Sequence, residues 1–368
     1  SSTNLNPFMQ AALDEARKGL GLASPNPMVG AVLVRDNQIV GRGYHTWTNR
    51  KHAEIVALED AGERARGATL YINLEPCCHH GRTPPCTDAL IAAGIAKVIA
   101  AIPDPNLEVS GQGFAQLRAA GIEVELDATA TRPAEDLNAP FLHFMRIGRP
   151  LVTLKAALTL DGKIAAPEDN RGWITSEKAR LHVQTLRHSS DAIMTGIGTV
   201  LADDPLLNDR TTLPRSRPLL RIVLDSQLRI PPHARIVETC REDVLVVTTS
   251  LAPAERRRVL EDAGVRVLVA DHPSGRTDMR QVVDWLARDN YLSLMIEGGS
   301  RINWAALESG VVDKIFFYYA PKILGGLQSL PVAGGTGKLR RSDAILFRDV
   351  HLHPITSDEF AVEAYLVK

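Results

Sequence analysis

Ala68-Thr69-Leu70-Tyr71-Ile72-Asn73-Leu74-Glu75-Pro76-Cys77 decides how this sequence is read. A strand-like run passes straight into a proline and a cysteine, so a thiol stands at the end of a strand. Some twenty residues upstream His52-Ala53-Glu54 opens a helix over 52–61, and downstream Cys86 precedes another helix over 87–93. Outward from this centre the pattern alternates. An amphipathic helix over 7–18 stops at Gly19, and strands over 29–35 and 38–44 flank Asp36-Asn37 as a hairpin. Strand 97–102, helix 111–120 and strand 122–126 follow, which predicts a sheet covered by helices.

His52, Cys77 and Cys86 are soft metal ligands, and Glu54 is a carboxylate that need not be one. Zinc in a catalytic site keeps three protein ligands and leaves the fourth place to water, whose pKa falls to about 7. His-x-Glu followed by Pro-Cys is the pattern of zinc deaminases acting on nucleobases, in which the Glu moves protons between water and leaving ammonia. Residues two apart on a helix point about 200° from each other, so His52 and Glu54 share a pocket only where the helix begins. The cysteines depart from Cys-x-x-Cys spacing, because Cys78-His79-His80-Gly81-Arg82-Thr83-Pro84-Pro85 lies between them. Ligand sets using Cys78, His79 or His80 are the alternatives, discounted because adjacent residues rarely converge on one ion. In this reading Gly81 and the two prolines shape a loop, and His79 and Arg82 become candidates for holding substrate, against the plainer reading of a solvated loop.

A chain of 368 residues predicts two compact units. With 42 basic against 43 acidic residues it lacks the basic excess of a nucleic-acid binder. No apolar run reaches membrane-spanning length, and Ser1-Ser2-Thr3-Asn4 lacks the marks of a signal peptide. Four cysteines, three of them around the proposed metal site, suit a reducing compartment, so the expected location is cytoplasmic.

After a polar, proline-bearing stretch around 131–148, a new strand over 150–155 starts a second half, and the expected boundary divides 1–148 from 149–368. Helices are expected over 176–189, 253–263 and 279–287, and strands over 192–195, 219–225, 244–248, 265–269, 293–296, 314–319 and 363–367. Two glycine turns follow strands: Thr195-Gly196-Ile197-Gly198-Thr199, and Glu297-Gly298-Gly299-Ser300 before a helix near Arg301. Glycine lets a backbone approach a ligand, and a helix N-terminus binds phosphate. The Gly-x-Gly-x-x-Gly fingerprint is absent, so no Rossmann domain is read here.

These motifs carry a resemblance. Asn26-Pro27-Met28-Val29-Gly30, His52-Ala53-Glu54 and the run from Glu75 to Cys86 resemble the deaminase half of the bifunctional riboflavin-biosynthesis deaminase/reductase family. The runs 155–164, Trp173-Ile174-Thr175-Ser176, Leu201-Ala202-Asp203-Asp204-Pro205 and Glu297-Gly298-Gly299 resemble its reductase half, in the family's order and over almost the whole chain. The resemblance implies an α/β chain with a cytidine-deaminase-like α/β/α N-terminal domain and a dihydrofolate-reductase-like α/β C-terminal domain. It implies zinc on His52, Cys77 and Cys86, proton transfer by Glu54, and pyrimidine or phosphate contacts at Asn26, His79 and Arg82. For NADPH it implies Leu158, Trp173, Thr199, Asp203, Ser226 and the turn Gly299, Ser300, Arg301, Ile302, Asn303, Trp304, Ala305. For the reductase substrate it implies Arg187, Leu207, Arg210 and Glu297, with Lys155 a polar contact near the reacting sugar. Asn170-Arg171-Gly172 departs from the family's usual Glu-Ser-x, and Arg171 is expected to reach phosphate in place of the Ser.

The implied partner is a small phosphorylated pyrimidine, with no nucleic acid or membrane, and the family's habit implies a homo-oligomer, dimer or tetramer. Two other readings stand beside this one. The first is a nucleoside or RNA-base deaminase with a non-catalytic C-terminal binding module, which failure to bind NADPH would favour. The second is a non-enzymatic protein with structural zinc, which needs a fourth protein ligand.

Overall fold

A computed structural model describes residues 4–368, and the reading of Ser1, Ser2 and Thr3 lies outside the described residues. The chain divides into two units, one of residues 1–148 with Pro214–Arg217, the other of residues 149–213 and 218–368. The break after Gly148 follows a helix ended by that glycine at φ 76°. The segment Pro214–Arg217 groups with the first unit although it lies within the expected second half. Ser216 donates from its backbone N–H to the Gly21 carbonyl at 2.7 Å and from its hydroxyl to the Ser24 carbonyl at 3.0 Å.

In the first unit α1 (Pro7–Arg17), β1 (Gly30–Arg35), β2 (Gln38–Tyr44), α2 (Ala53–Ala61), β3 (Thr69–Ile72), α3 (Cys86–Ala92), β4 (Lys97–Ala100), α4 (Gln112–Ala119), β5 (Glu123–Leu126), α5 (Thr131–Leu137) and α6 (Ala139–Ile147) follow in order. The sheet runs β2-β1-β3-β4-β5, antiparallel around β1 and parallel from β3 to β5. Asp36 and Asn37 both have positive φ, 51° and 59°, as a tight hairpin turn between right-twisted strands requires. Helices lie on both faces, so β1 is buried from Gly30 to Val34. Glycines set how close they come: a Cβ on Gly43 would stand 2.4 Å from the Ala53 carbonyl oxygen, and one on Gly41 2.4 Å from that of Ala57. The absence of those side chains lets α2 rest directly on β2, which fixes where His52 and Glu54 enter.

The polar, proline-bearing stretch before the boundary, for which no element was expected, forms two helices, α5 and α6. Prolines obscured them, yet Pro133 and Pro140 sit in first turns, where backbone N–H groups have no intrahelical partner to lose. Leu142 packs with Met9 and Leu13 of α1. Buried Asn138 exchanges two 2.8 Å hydrogen bonds with the backbone of Met28, holding the Asn26-Pro27-Met28 segment in place.

The second unit comprises β6 (Leu151–Thr159), β7 (Lys163–Ala165), α7 (Glu177–Ser189), β8 (Ala192–Gly196), α8 (Ile197–Asp203), β9 (Leu220–Leu224), α9 (Arg235–Glu238), β10 (Val244–Thr248), α10 (Ala254–Asp262), β11 (Arg266–Val269), α11 (Met279–Arg288), β12 (Ser293–Ile296), α12 (Ser300–Ser309), β13 (Lys314–Ala320), β14 (Leu330–Pro331), β15 (Phe347–Pro354) and β16 (Phe360–Leu366). Its nine-stranded sheet runs β11-β10-β9-β8-β12-β6-β13-β16-β15, parallel from β11 to β13 and antiparallel at β16 and β15. The central strands β8, β9, β10 and β12 are buried at every position, as a parallel sheet covered on both faces demands. Strand β12 returns between β8 and β6, so the two glycine turns leave the carboxyl ends of neighbouring strands. Ligands bind at that edge of open α/β sheets.

Candidate functional site

His52 is the N-cap of α2 in extended conformation, and Glu54 is the second residue of that helix. The helix entrance therefore presents both side chains to one pocket. Cys77 stands in the loop after β3, and Cys86 is the first residue of α3. His52 Nδ1 lies 3.2 Å from Cys86 Sγ and 3.5 Å from Cys77 Sγ, and all three donor atoms fall within 4.8 Å of one another. Donors on a tetrahedral zinc stand about 3.6 Å apart at ordinary Zn–N and Zn–S lengths, so the set fits the ion. The Cys86 N–H also points at Cys77 Sγ at 3.4 Å, a donor suited to a thiolate.

Hydrogen bonding from Cys86, together with His52, holds the Cys77 thiol down to about 4, while the same partnership with Cys77 pushes Cys86 up. Burial pushes Glu54 up to about 7, Cys77 adds to the rise, and His52 opposes it. Glu54 is thus a buried carboxyl able to hold or release a proton near neutrality. Among the described residues Cys78, His79 and His80 join no metal-binding group; the Cys78 sulfur lies 3.7 Å from His79 Nε2, and His79, His80 and Arg82 are exposed on the loop.

The sequence reading missed His45. Its Nδ1 donates to the Lys51 carbonyl at 2.8 Å, its Nε2 accepts from Asn26 Nδ2 at 2.9 Å, and its ring meets that of His52 edge-on at 5.4 Å. Burial lowers its pKa, and the ring links Asn26 to the His52 side chain. The sequence signal is faint, a histidine just past the end of β2.

In the second unit Glu297, just beyond β12, meets Lys155 of β6 and Arg187 of α7. Arg187 Nη2 donates to Glu297 Oε2 at 2.6 Å, and Lys155 Nζ lies 3.4 Å from Oε1. Burial alone would raise the Glu297 carboxyl, but Lys155 and Arg187 outweigh it and hold it at about 2. Arg187 Nη1 also donates to the Asn208 carbonyl at 3.0 Å, drawing the Leu207–Arg210 loop to the same place.

The glycine turns divide by role. A Cβ on Gly196 or Gly298 would collide with Ile302, at 2.8 and 2.5 Å, so these two exist for packing and Ile302 is their wedge. Gly198 and Gly299 face open space. Gly299 caps α12 without a side-chain hydrogen bond, and among the described residues Ser300 Oγ, Asn303 Oδ1 and Trp304 Nε1 are buried without partners. An open helix N-terminus with unspent polar atoms at a sheet's carboxyl edge fits a phosphate-bearing cofactor. Thr199 and Asp203 share a face of α8, with Asp203 exposed, and half-buried Ser226 follows β9. Exposed Trp173 lies under Arg180 at 4.5 Å, and Arg301 is exposed. Ala305 is half-buried within α12. Leu158 and Leu207 are buried in apolar clusters, so neither offers an exposed side chain to a ligand. Arg171 is 92% exposed and paired with Asp169 at 2.7 Å, an anion that a phosphate must displace.

Fold and sites together define a two-domain enzyme, a zinc deaminase joined to an α/β reductase. Two family models match the chain: the cytidine and deoxycytidylate deaminase zinc-binding region over residues 2–102, and the RibD C-terminal domain over residues 150–359. It is 44% identical over 330 residues to the riboflavin biosynthesis protein RibD of Actinobacillus pleuropneumoniae, covering 90% of this chain and 87% of that one. It is 41% identical over 363 residues to RibD of Escherichia coli K12, covering 94% and 96%. Among solved structures, Acinetobacter baumannii RibD superposes with a TM-score of 0.86 at 36% identity, and a Thermotoga maritima diaminohydroxyphosphoribosylaminopyrimidine deaminase/5-amino-6-(5-phosphoribosylamino)uracil reductase with 0.82 at 34%, each covering 98% of both chains. The chain belongs to the RibD family of bifunctional riboflavin-biosynthesis deaminase/reductases, with a zinc-binding deaminase domain. Among the described residues no helix is long and apolar enough to cross a membrane.

Proposed function

We propose that residues 1–148 remove the 2-amino group of 2,5-diamino-6-(ribosylamino)-4(3H)-pyrimidinone 5′-phosphate and residues 149–368 reduce the ribosyl side chain of the deaminated product, 5-amino-6-(5-phosphoribosylamino)uracil, to ribityl. The observation that carries the reading is the convergence of His52, Cys77 and Cys86 beside a buried Glu54, in one chain with a second unit whose Glu297 is held between two cations.

His52, Cys77 and Cys86 would hold zinc, which would supply a Lewis acid able to make water nucleophilic at neutral pH. Glu54 accepts a proton from the attacking water and delivers protons to the ring nitrogen and the leaving ammonia. Asn26, oriented by His45, meets the pyrimidine, and His79 and Arg82 reach for the substrate from the cysteine loop. Trp173, Thr199, Asp203, Ser226 and the Gly299–Ala305 turn, with the backbone of Leu158, would hold NADPH, which would supply the hydride of the second step. Arg187 and Arg210 bind the substrate phosphate, because a guanidinium bonds phosphate in two places at once. Glu297 and Lys155 hold fixed charges beside the sugar, Leu207 contributes through its backbone, and Arg171 reaches the phosphate. A cytoplasmic homo-oligomer is part of the same reading.

The test supplies the diaminopyrimidine phosphate with and without NADPH and identifies products by mass. Ammonia is released without NADPH, and two hydrogens are gained only with it. Deamination with no reduction under any condition would favour a deaminase carrying a non-catalytic binding module.

A further inference from the structure

The loop that presents Leu207 and Arg210 is folded in a way it does not hold by itself. Asp204, Leu207 and Thr212 have φ of 45°, 56° and 62°, the left-handed region that residues other than glycine enter only at a cost and keep only when their surroundings impose it. Two ties come from β9 and from the start of α9. Buried Arg221 donates to the Leu206 carbonyl at 2.9 Å, and the Arg235 N–H to the Asp204 carboxylate at 2.9 Å.

The other ties come from one face of α7. Gln184, Arg187 and His188 stand at i, i+3 and i+4, so their side chains leave the helix together. Gln184 Oε1 accepts from the Arg210 N–H at 2.8 Å, Arg187 holds the Asn208 carbonyl, and His188 Nδ1 lies 2.8 Å from Asp209 Oδ2. The last pair is buried, with side chains 3% and 7% exposed. Asp209 Oδ1 meanwhile accepts from the backbone and hydroxyl of Thr211 at 2.9 and 2.6 Å. One oxygen of this carboxylate closes the loop on itself, and the other fastens it to the helix. Each partner is also the chain neighbour of an arginine: His188 follows Arg187, and Asp209 precedes Arg210.

We propose that His188 and Asp209 form a positioning pair that sets the spacing between Arg187 on the helix and Arg210 on the loop, so that both guanidinium groups meet one substrate phosphate. This rests on the reading that those arginines hold the phosphate. The pair does not touch substrate, and its effect is specific to substrates that carry the phosphate.

The experiment compares reductase kinetics of the full chain on 5-amino-6-(5-phosphoribosylamino)uracil and on its dephosphorylated counterpart. His188→Asn keeps an amide nitrogen near the place of Nδ1, whereas His188→Gln moves it outward and His188→Ala removes it. His188→Ala and His188→Gln are expected to raise KM for the phosphorylated substrate about tenfold, the scale of one hydrogen bond to a charged group, with kcat and the dephosphorylated substrate changed less than about twofold. His188→Asn restores KM to within about threefold. Arg210→Ala tests the underlying reading by removing the preference for phosphate. If Arg210→Ala removes that preference while His188→Gln leaves it intact, or weakens both substrates equally, the positioning role is wrong and the phosphate reading stands. If Arg210→Ala leaves the preference intact, the phosphate reading fails and the positioning role falls with it. Should His188→Ala not fold, the contrast between Asn and Gln decides, and equal behaviour of those two overturns the proposal.

Discussion

Two glutamates in this chain show how environment assigns a role to one residue type. Glu54, buried beside a thiol, is raised to about 7 and suits proton transfer; Glu297, between Lys155 and Arg187, is lowered to about 2 and stays an anion. The Glu297 shift has a consequence for stability. Its folded value lies below the ordinary 4.5, so the ionised carboxyl stabilises the fold fully above about pH 4.5, and that contribution is lost as pH falls through 2. Glu297→Gln leaves Lys155 and Arg187 without their counter-charge and is expected to cost about 3–5 kcal/mol at pH 7. Denaturant titrations of both proteins at pH 7 and at pH 3 check this: the gap narrows at the lower pH, and an unchanged gap would mean that the carboxylate's charge is not what the site uses. At this scale the convergence of His52, Cys77 and Cys86 was legible because His-x-Glu and the cysteines after prolines are local patterns. His45 was not, because its meaning depends on Asn26 and His52 arriving from elsewhere in the chain.

Elements were legible where burial is one-sided or complete, and illegible where neighbours override local signals. The apolar runs that became β8, β9, β10 and β12 stood out, and Asp36-Asn37 gave the hairpin. Strand β6, expected to stop at Lys155, continues to Thr159 because β13 pairs with it as far as that residue, which no local propensity records. Strand β15 escaped notice as an exposed edge, with Arg348, Val350 and Leu352 at the surface, so it lacks an apolar alternation. Helices α5 and α6 were hidden by prolines that first turns tolerate. At the zinc site the decisive element contact is α2 on β2. Gly43→Ala forces a Cβ into the Ala53 carbonyl, and overpacking of this kind costs about 1–3 kcal/mol. Thermal unfolding should show that loss together with reduced zinc content, since the displaced backbone is the one that carries His52. Full zinc occupancy in a destabilised Gly43→Ala protein would show that α2 does not set the metal geometry.

Across the whole molecule the two units carry separate sets of polar machinery, one built from thiols, a histidine and a protonatable glutamate, the other from fixed charges and an open helix terminus. This separation is the central claim, because hydrolysis and hydride transfer ask for different surroundings: a site that holds a metal and moves protons, and a site that grips a phosphate and keeps its charges still. The most direct measurement gives Glu54→Gln protein each substrate in turn. The account predicts that ammonia release from the diaminopyrimidine phosphate falls about 10²- to 10⁴-fold, while NADPH-dependent reduction of the deaminated intermediate stays within about twofold of the unaltered chain. Loss of both activities in a folded Glu54→Gln protein, or retention of deamination, would contradict it.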